Sequence, residues 1–592
     1  MTGGGLYRSA HAAHDGYQPA PDDDVPVISA DDPLPGAAGV ENQALPPTEI
    51  PPDRTAGGDG GTAGSSAIMA AGSLVSRLIG FVRNALIGMT LGQGIGDAYT
   101  TAQFLPGQIY ELLLGGILSS VLIPLLVRRR KADPDQGQAY TQKLLTFAVV
   151  CLGAATLLVV ALAPVVTWIQ ASKSPADYRH LVTAFAWLIL PIIFFTGLSA
   201  LIGAVLNVRG HFAAPTWAPI LNNVVVIAVC GIFIGVFGTT NGFTPADMTP
   251  GRILLISGGT LLGMVVQAAG LLPALRKVSF AWKWSWDPRA LGLREIGRLA
   301  GWMLCYVAGN QVAVFLVVSL LNTASQNGRN PSVYAFNNVF LLTMMAHGII
   351  GVSVMTALLP KMSAAAADGR FAEVSADLSR GIRLTATALA PIAVVYGVLG
   401  TPLSVTLFQG GAFGSEAAFA QGGVLVVAAF AVLPLSISYL CTYTFYSLQG
   451  NRTAALINLP VVVLRMGAYL LFAAVLSDRL VAAGMTAANA ISYLASAAIS
   501  LAVLRRRIGR LNLGAVAAAL FKVLVAAAVA AALGIFVVHV LPGGLRPDRI
   551  QAIVQVVVGG AVVLVAYLGA ATVLRVHEVS QVVGMVRRKL GR

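Results

Sequence analysis

From residue 66 onward the chain repeats one unit, an apolar stretch long enough to cross a bilayer, and this repetition decides most of what it can fold into. A helix needs about 20 residues to span a hydrocarbon core roughly 30 Å thick, and inside that core every backbone N–H and C=O must be satisfied within the protein. The stretches lie near 67–91, 98–127, 141–169, 181–207, 213–238, 252–275, 300–322, 334–359, 382–406, 421–448, 453–476, 480–504, 513–541 and 549–575. Hydrophobic residues make up 56% of the 592 and charged residues only 11%, which excludes a soluble globular enzyme. The expected fold class is an all-α polytopic membrane protein with fourteen transmembrane helices. Pro106, Pro191, Pro391, Pro434 and Pro460 fall inside stretches and predict kinks, because each removes a backbone donor and frees a carbonyl.

Residues 1–65 differ in kind. They are rich in Gly, Pro, Asp and Ala, lack apolar periodicity, and hold ten acids against Arg8 and Arg54. Such a segment buries too little apolar surface to offset its ordering entropy, so it reads as a disordered acidic tail and not as a secretory signal. Of 39 basic and 25 acidic residues in the whole chain, 39 − 2 and 25 − 10 remain beyond the tail, a balance of +22. The excess gathers after even-numbered stretches, as in Arg128-Arg129-Arg130-Lys131, Arg209, Arg276-Lys277, Lys361 with Arg370, Arg452, Arg505-Arg506-Arg507 and Arg587-Arg588-Lys589. Basic residues in short loops mark the cytoplasmic side, so both termini are expected there, in contact with anionic lipid and not with nucleic acid. Between the sixth and seventh stretches, Trp282, Trp284 and Trp286 alternate with Lys283, Arg289, Arg294 and Arg298, a pattern suited to an in-plane amphipathic segment at the headgroups. The expected organisation is a six-span lobe over 66–277, this linker over 278–299, a second six-span lobe over 300–510, two further spans over 511–577, and a basic cytoplasmic tail over 578–592.

The charges inside the stretches carry the chemistry. Ser76-Arg77 and Arg83 lie in the first one, where a plain anchor has none; guanidiniums at membrane depth are costly and normally face a cavity or a partner. Arg383, Arg465 and Lys522, with His347 and His539, extend the basic set, while acids are limited to Glu111 in the second stretch and Asp97 at its outer end. A water-filled cavity lined with arginine attracts anions, and the planar fork suits phosphate. The expected substrate is therefore an anion, with a phosphorylated one leading. Arg83, Arg383 and Lys522 sit near span ends, where snorkelling to headgroups is the alternative. Arg465, about 12 residues into its span, is too deep for that, and a pair with Glu111 is its alternative role. Asn222-Asn223, Asn310-Gln311 and Asn337-Asn338 suit helix joining as well as substrate contact. Cys151, Cys230, Cys305 and Cys441 share no short spacing and read as packing residues, giving no metal site, and no Gly-rich run is followed by Lys-Ser or Lys-Thr, giving no nucleotide loop and no cofactor.

Several short motifs together resemble the MurJ (MviN) family of lipid II flippases, in its actinobacterial branch. They are Ser76-Arg77-x-x-Gly80-x-x-Arg83, Gly96-Asp97-Ala98, Leu105-Pro106 with Ile123-Pro124, Ala214-Pro215 with Ala218-Pro219 and Asn222, Gly259-Thr260-x-x-Gly263 with Gln267 and Pro273, Leu359-Pro360 with Ser363, and Gly410-Gly411-Ala412-Phe413. The resemblance implies two lobes around a cationic central cavity, a groove for a polyprenyl tail formed by the last two spans, and alternating access that moves lipid II to the outer leaflet for cell-wall synthesis. It makes the chain a transporter in the bacterial plasma membrane and not an enzyme. Arg77 and Arg83 match the family's essential arginines and Asp97 its acidic position. The chain departs from the pattern at Tyr110, where an arginine is usual, at Gly115, where an acid is usual, and near Leu341 and Met344, where an Arg and Glu pair is usual. Arg465 is the candidate to supply the missing positive charge. The expected substrate contacts are thus Arg77, Arg83, Asp97, Glu111, Arg465, Asn338 and His347. Relatives that bind sodium use acids in spans that have none here, so no comparable site is expected. Export of another polyprenyl-phosphate-linked glycan, and a membrane scaffold recruiting cell-wall synthesis or division proteins through the tail, remain as alternatives.

Overall fold

The computed structural model describes residues 59–110, 126, 129–130, 133–278, 280–325, 333–448, 450–509 and 511–579. Among them thirteen long helices follow one another: α1 Asp59–Tyr110, α2 Gln138–Ala161, α3 Ala176–Val208, α4 Ala213–Phe237, α5 Pro250–Lys277, α6 Leu293–Ala324, α7 Val333–Ala367, α8 Phe371–Phe408, α9 Ser415–Ser447, α10 Asn451–Val475, α11 Val481–Ile508, α12 Leu513–Val540 and α13 Arg549–Val573. The described residues contain no strand, only an isolated bridge between Gly410 and Phe413.

α1 counts twice. Its 52 residues would make a straight rod of about 78 Å at 1.5 Å per residue, more than twice the thickness of a bilayer core. The helix is interrupted at Gly92, whose φ of 64° lies in the left-handed region that a side chain disfavours. Carbonyls freed by the break find new donors: Met89 O accepts from the Ala412 N–H at 2.7 Å and Thr90 O from the Thr240 N–H at 3.0 Å. Tyr334 touches both legs, its hydroxyl donating to Asn84 O at 2.6 Å and its N–H to Asp97 Oδ1 at 3.0 Å. Those two residues would be about 20 Å apart along a straight helix, so the chain folds back at Gly92. The described helices thus supply thirteen of the fourteen expected crossings, and the leg of α1 beyond Gly92, described to Tyr110, starts the second. Twelve meet the length and hydropathy of a span as single helices, and α6 has its apolar part at Gly309–Ala324.

Some boundaries differ from expectation. Helix begins at Asp59, inside the segment read as tail. The third stretch is divided at Leu162, ahead of Pro164, into α2 and a short helix Ala163–Ala171. Pro191 separates the two parts of α3, as expected. In α8, however, the break falls at Leu399, three residues before Pro402, and Pro391 is accommodated without one. Residues 280–287 run without helix along α2. Gln142 Nε2 donates to Ala281 O at 2.6 Å, the Ser285 N–H to Thr146 Oγ1 at 3.2 Å, and Lys143 Nζ to Asp287 Oδ2 at 2.9 Å, while Trp286 packs its ring on Phe147. Asp287 then caps the turn Pro288–Leu291, and α6 starts at Leu293, ahead of the expected 300.

The packing is lopsided across the membrane. On the side away from the basic connections, one apolar core joins α1, α3, α4 and α5 to α6, α7, α8, α9 and α11, from Ile87, Tyr99 and Phe185 to Phe408, Val424 and Met485. Near the basic connections there are two separate cores instead. One links α2, α3, α4 and α5 through Leu145, Leu206 and Leu275; the other links α7, α8, α9 and α11 through Met362, Ile382, Phe445 and Leu504. A fourth core seats α12 and α13 on α8 through Ala390, Ala526, Ala530 and Tyr567. Small residues allow the closest approaches: a Cβ on Gly422 would meet the Thr401 backbone at 2.6 Å, bringing α8 and α9 nearly backbone to backbone.

Candidate functional site

The interface between the lobes is built around α1, α7 and α9. Arg77 lies 15 residues before the Gly92 turn, about 22 Å along the helix, and His347 lies 14 residues beyond Val333, about 21 Å along α7. The two helices start from a common level because Asp97 and Tyr334 bind each other. Arg77 and His347 therefore reach the same depth, and there they meet: the half-buried Arg77 guanidinium occupies the space that a side chain at Gly348 would fill. An N-lobe guanidinium thus rests on the C-lobe at the inner edge of the shared core.

His347 itself is buried and opens a π-helical turn, His347–Gly351, inside α7. Its Nδ1 lies 2.9 Å from Ser436 Oγ, and its ring is tilted over Tyr439 with centroids 4.8 Å apart. Arg83, nine residues from the turn and hence about 14 Å deep, is half-buried. Its Nε and Nη2 both donate to Asn84 Oδ1, at 3.3 and 3.1 Å.

The remaining candidates are placed elsewhere. Asp97 is fully buried and accepts from the Tyr334 N–H and from Ser325 Oγ at 3.2 Å, tying the α1 turn to the start of α7. Asn338, 1% exposed, donates through Nδ2 to Gln421 Oε1 at 3.2 Å, and Gln421 donates on to Ser404 Oγ at 3.3 Å, which links α7, α9 and α8. Arg465 donates from Nε to Ser492 Oγ at 3.0 Å and lies over the Tyr493 ring at 5.3 Å, across the contact between α10 and α11. Its alternative partner Glu111 lies outside the described residues, as does Gly115. Arg383 pairs with Glu578 at 3.3 Å beneath α13. Of the polar pairs, Asn223 donates to Ser76 O at 3.3 Å and joins α4 to α1. Arg77 and His347 are brought together; Arg83 shares the helix of Arg77, while Asp97, Asn338 and Arg465 stand apart.

Sequence reasoning did not single out Tyr334, Ser436, Tyr439 or Gly348. Gly88 was missed too: a Cβ there would collide with the Tyr334 hydroxyl. Aromatic and small residues carry no signal of this kind in an apolar stretch, and their partners lie on other helices, 89 residues away for Ser436 and 250 for Tyr334.

These features define a class: a polytopic helical membrane protein of two lobes, joined on one side and separate on the other, with a guanidinium at the junction. The chain belongs to the lipid II flippase MurJ family, whose family model matches residues 87–546. A probable lipid II flippase MurJ of Buchnera aphidicola subsp. Baizongia pistaciae is 24% identical over 396 residues, 66% of this chain and 74% of that one. The lipid II flippase MurJ of Burkholderia cenocepacia is 26% identical over the same length and shares. Among solved structures, a lipid II flippase MurJ in an inward closed conformation superposes with a TM-score of 0.67 at 15% identity, covering 89% of this chain and 100% of the other. An inward-facing multidrug resistance MATE family transporter of the MOP superfamily gives 0.60 at 16% identity, with 74% and 99% covered. These last two bear on the fold alone.

Proposed function

We propose that this protein moves lipid II, the lipid-linked peptidoglycan precursor, from the cytoplasmic to the outer leaflet of the bacterial plasma membrane by alternating access. The observation that carries the reading is the Arg77 guanidinium at the lobe junction, where a pyrophosphate passing between the lobes would meet it. Family membership and the names of the relatives support lipid II as the cargo. In this reading the basic side is cytoplasmic, both termini lie there, and the separated inner cores describe a protein joined at its outer half. Arg77, Arg83 and His347 face the headgroup. Asp97 and Asn338 act by positioning α7 against α1 and α9. Arg465 adds positive charge from α10, and the α8, α12 and α13 cluster seats the polyprenyl tail. Anionic lipids contact the basic connections.

Translocation of labelled lipid II headgroup in proteoliposomes tests this, comparing the intact protein with the Arg77→Ala, Arg83→Ala double variant. Transport by the intact chain and its loss in the variant support the flippase. No transport by folded, intact protein favours another polyprenyl-linked glycan or a scaffold, and a scaffold tolerates both substitutions.

A further inference from the structure

We infer that His347 is a proton-binding site that controls the contact between the lobes, taking its proton at Nε2 and acting through the Arg77 guanidinium at Gly348. The inference rests on the transport reading above and gives that site a coupling ion.

The hydrogen bonds fix where a proton can go. Ser436 has one hydroxyl hydrogen and directs it to Val432 O at 3.0 Å, so its oxygen accepts from His347 Nδ1–H at 2.9 Å. Neutral imidazole with Nδ1 protonated leaves Nε2 as the open base. The ring is folded over its own π-turn, in space that exists because residue 351 is glycine: a Cβ there would lie 2.6 Å from Nδ1 and 2.9 Å from Cε1. Tyr439 covers the other side.

Among the described residues the charges that face the ring are few. From α1 comes Arg77; from α9, Tyr439 with Ser436; from α8, Tyr396, whose hydroxyl donates to Leu342 O at 2.9 Å, more than one turn away. α7 itself holds no charged residue before Lys361. No carboxylate among these neighbours can absorb an added charge, so a second cation falls beside Arg77, and like charges in a poorly solvated site repel. Arg77 belongs to the other lobe. One proton bound from water at Nε2 therefore pushes α1 off α7 at this depth, and its release to water lets the guanidinium settle back on Gly348.

The test uses nitroxide labels on Lys277→Cys and Ala367→Cys, exposed positions on the basic side of the two lobes, with Cys151 replaced by serine, in nanodiscs without substrate. Double electron–electron resonance distances are expected to lengthen reversibly as pH is lowered stepwise from about 8 to about 4. His347→Gln, which keeps a donor for Ser436, should lose the step, and so should Arg77→Gln; should the first fail to fold, the second carries the test. A distance independent of pH in the parent, or a step that survives His347→Gln, overturns the proposal. Headgroup translocation measured in parallel separates the two readings: a pH step without lipid II transport sinks the cargo and leaves the proton site, whereas transport without a step sinks the proton site alone.

Discussion

Gly88, Tyr334 and Asn84 form the tightest fit in the lobe junction, because the buried Tyr334 hydroxyl uses the space that a Cβ on Gly88 would take in order to reach the Asn84 carbonyl. Gly88→Ala should destabilise the protein by about 1–3 kcal/mol through overpacking, and Tyr334→Phe by about 1 kcal/mol through the lost hydrogen bond. Removing the hydroxyl also clears room for the methyl, so the double variant should cost less than the sum of the singles; additive costs in thermal unfolding would contradict the geometry. Gly348→Ala tests the neighbouring contact without altering any charge. The new methyl displaces the Arg77 guanidinium, so transport should fall while unfolding temperature stays near that of the parent, and full transport would show that the resting place of Arg77 is immaterial. Arg77 was legible in the sequence because a guanidinium in an apolar stretch has few explanations. Gly348 was not, since a glycine's meaning is the space it leaves, and here that space is filled by a residue 271 positions earlier.

The strap along α2 is an element whose composition was legible in the sequence and whose attachment was not. Three tryptophans among basic residues suggest a segment at the headgroups, and in the structure Trp284 and Trp286 are exposed. It runs without helix alongside α2, where Gln142, Lys143 and Thr146 bond its polar groups from the side. By contrast, the crossings were legible from length alone, since the bilayer sets a hard minimum that soluble loops do not imitate. Kinks were less so: proline marks a lost donor, but neighbouring packing decides whether the helix bends there, as Pro391 and Pro402 demonstrate. The strap makes a pH prediction. The Lys143 ammonium, with the Ala290 N–H, holds the Asp287 carboxyl below the usual carboxylate range. A depressed value in the folded state means that the attachment is present above the unfolded value of about 3.9 and is lost as pH falls through the folded one. Hydrogen exchange over 280–287, corrected for intrinsic rate, should stay flat from neutral pH to about 4 and rise below it. Asp287→Asn should raise exchange at neutral pH and remove the acid step; a flat profile in both proteins would mean that the ion pair does not hold the strap.

At the scale of the whole molecule, the shared core on one side and the paired cores on the other describe one half of an alternating cycle. For the opposite side to open, the lobes must part where they are now joined, and one such joint is the α1 turn. Thr240 of the first lobe and Ala412 of the second donate to adjacent carbonyls, Thr90 and Met89, freed by Gly92, so one interrupted helix end is clasped from both sides. Backbone hydrogen bonds of this kind can be exchanged for water at little net cost, which suits a joint that must release and re-form. A covalent bond cannot be exchanged. Met89→Cys with Ala412→Cys, in a background lacking the native cysteines, should form a disulfide on oxidation and bring headgroup translocation to background, with recovery on reduction. Each single cysteine variant should transport under both conditions. Undiminished transport by the oxidised pair, with cross-linking verified by mass spectrometry, would mean that the α1 turn and the Gly410–Phe413 loop travel together, and the outer opening would then have to lie elsewhere between the lobes.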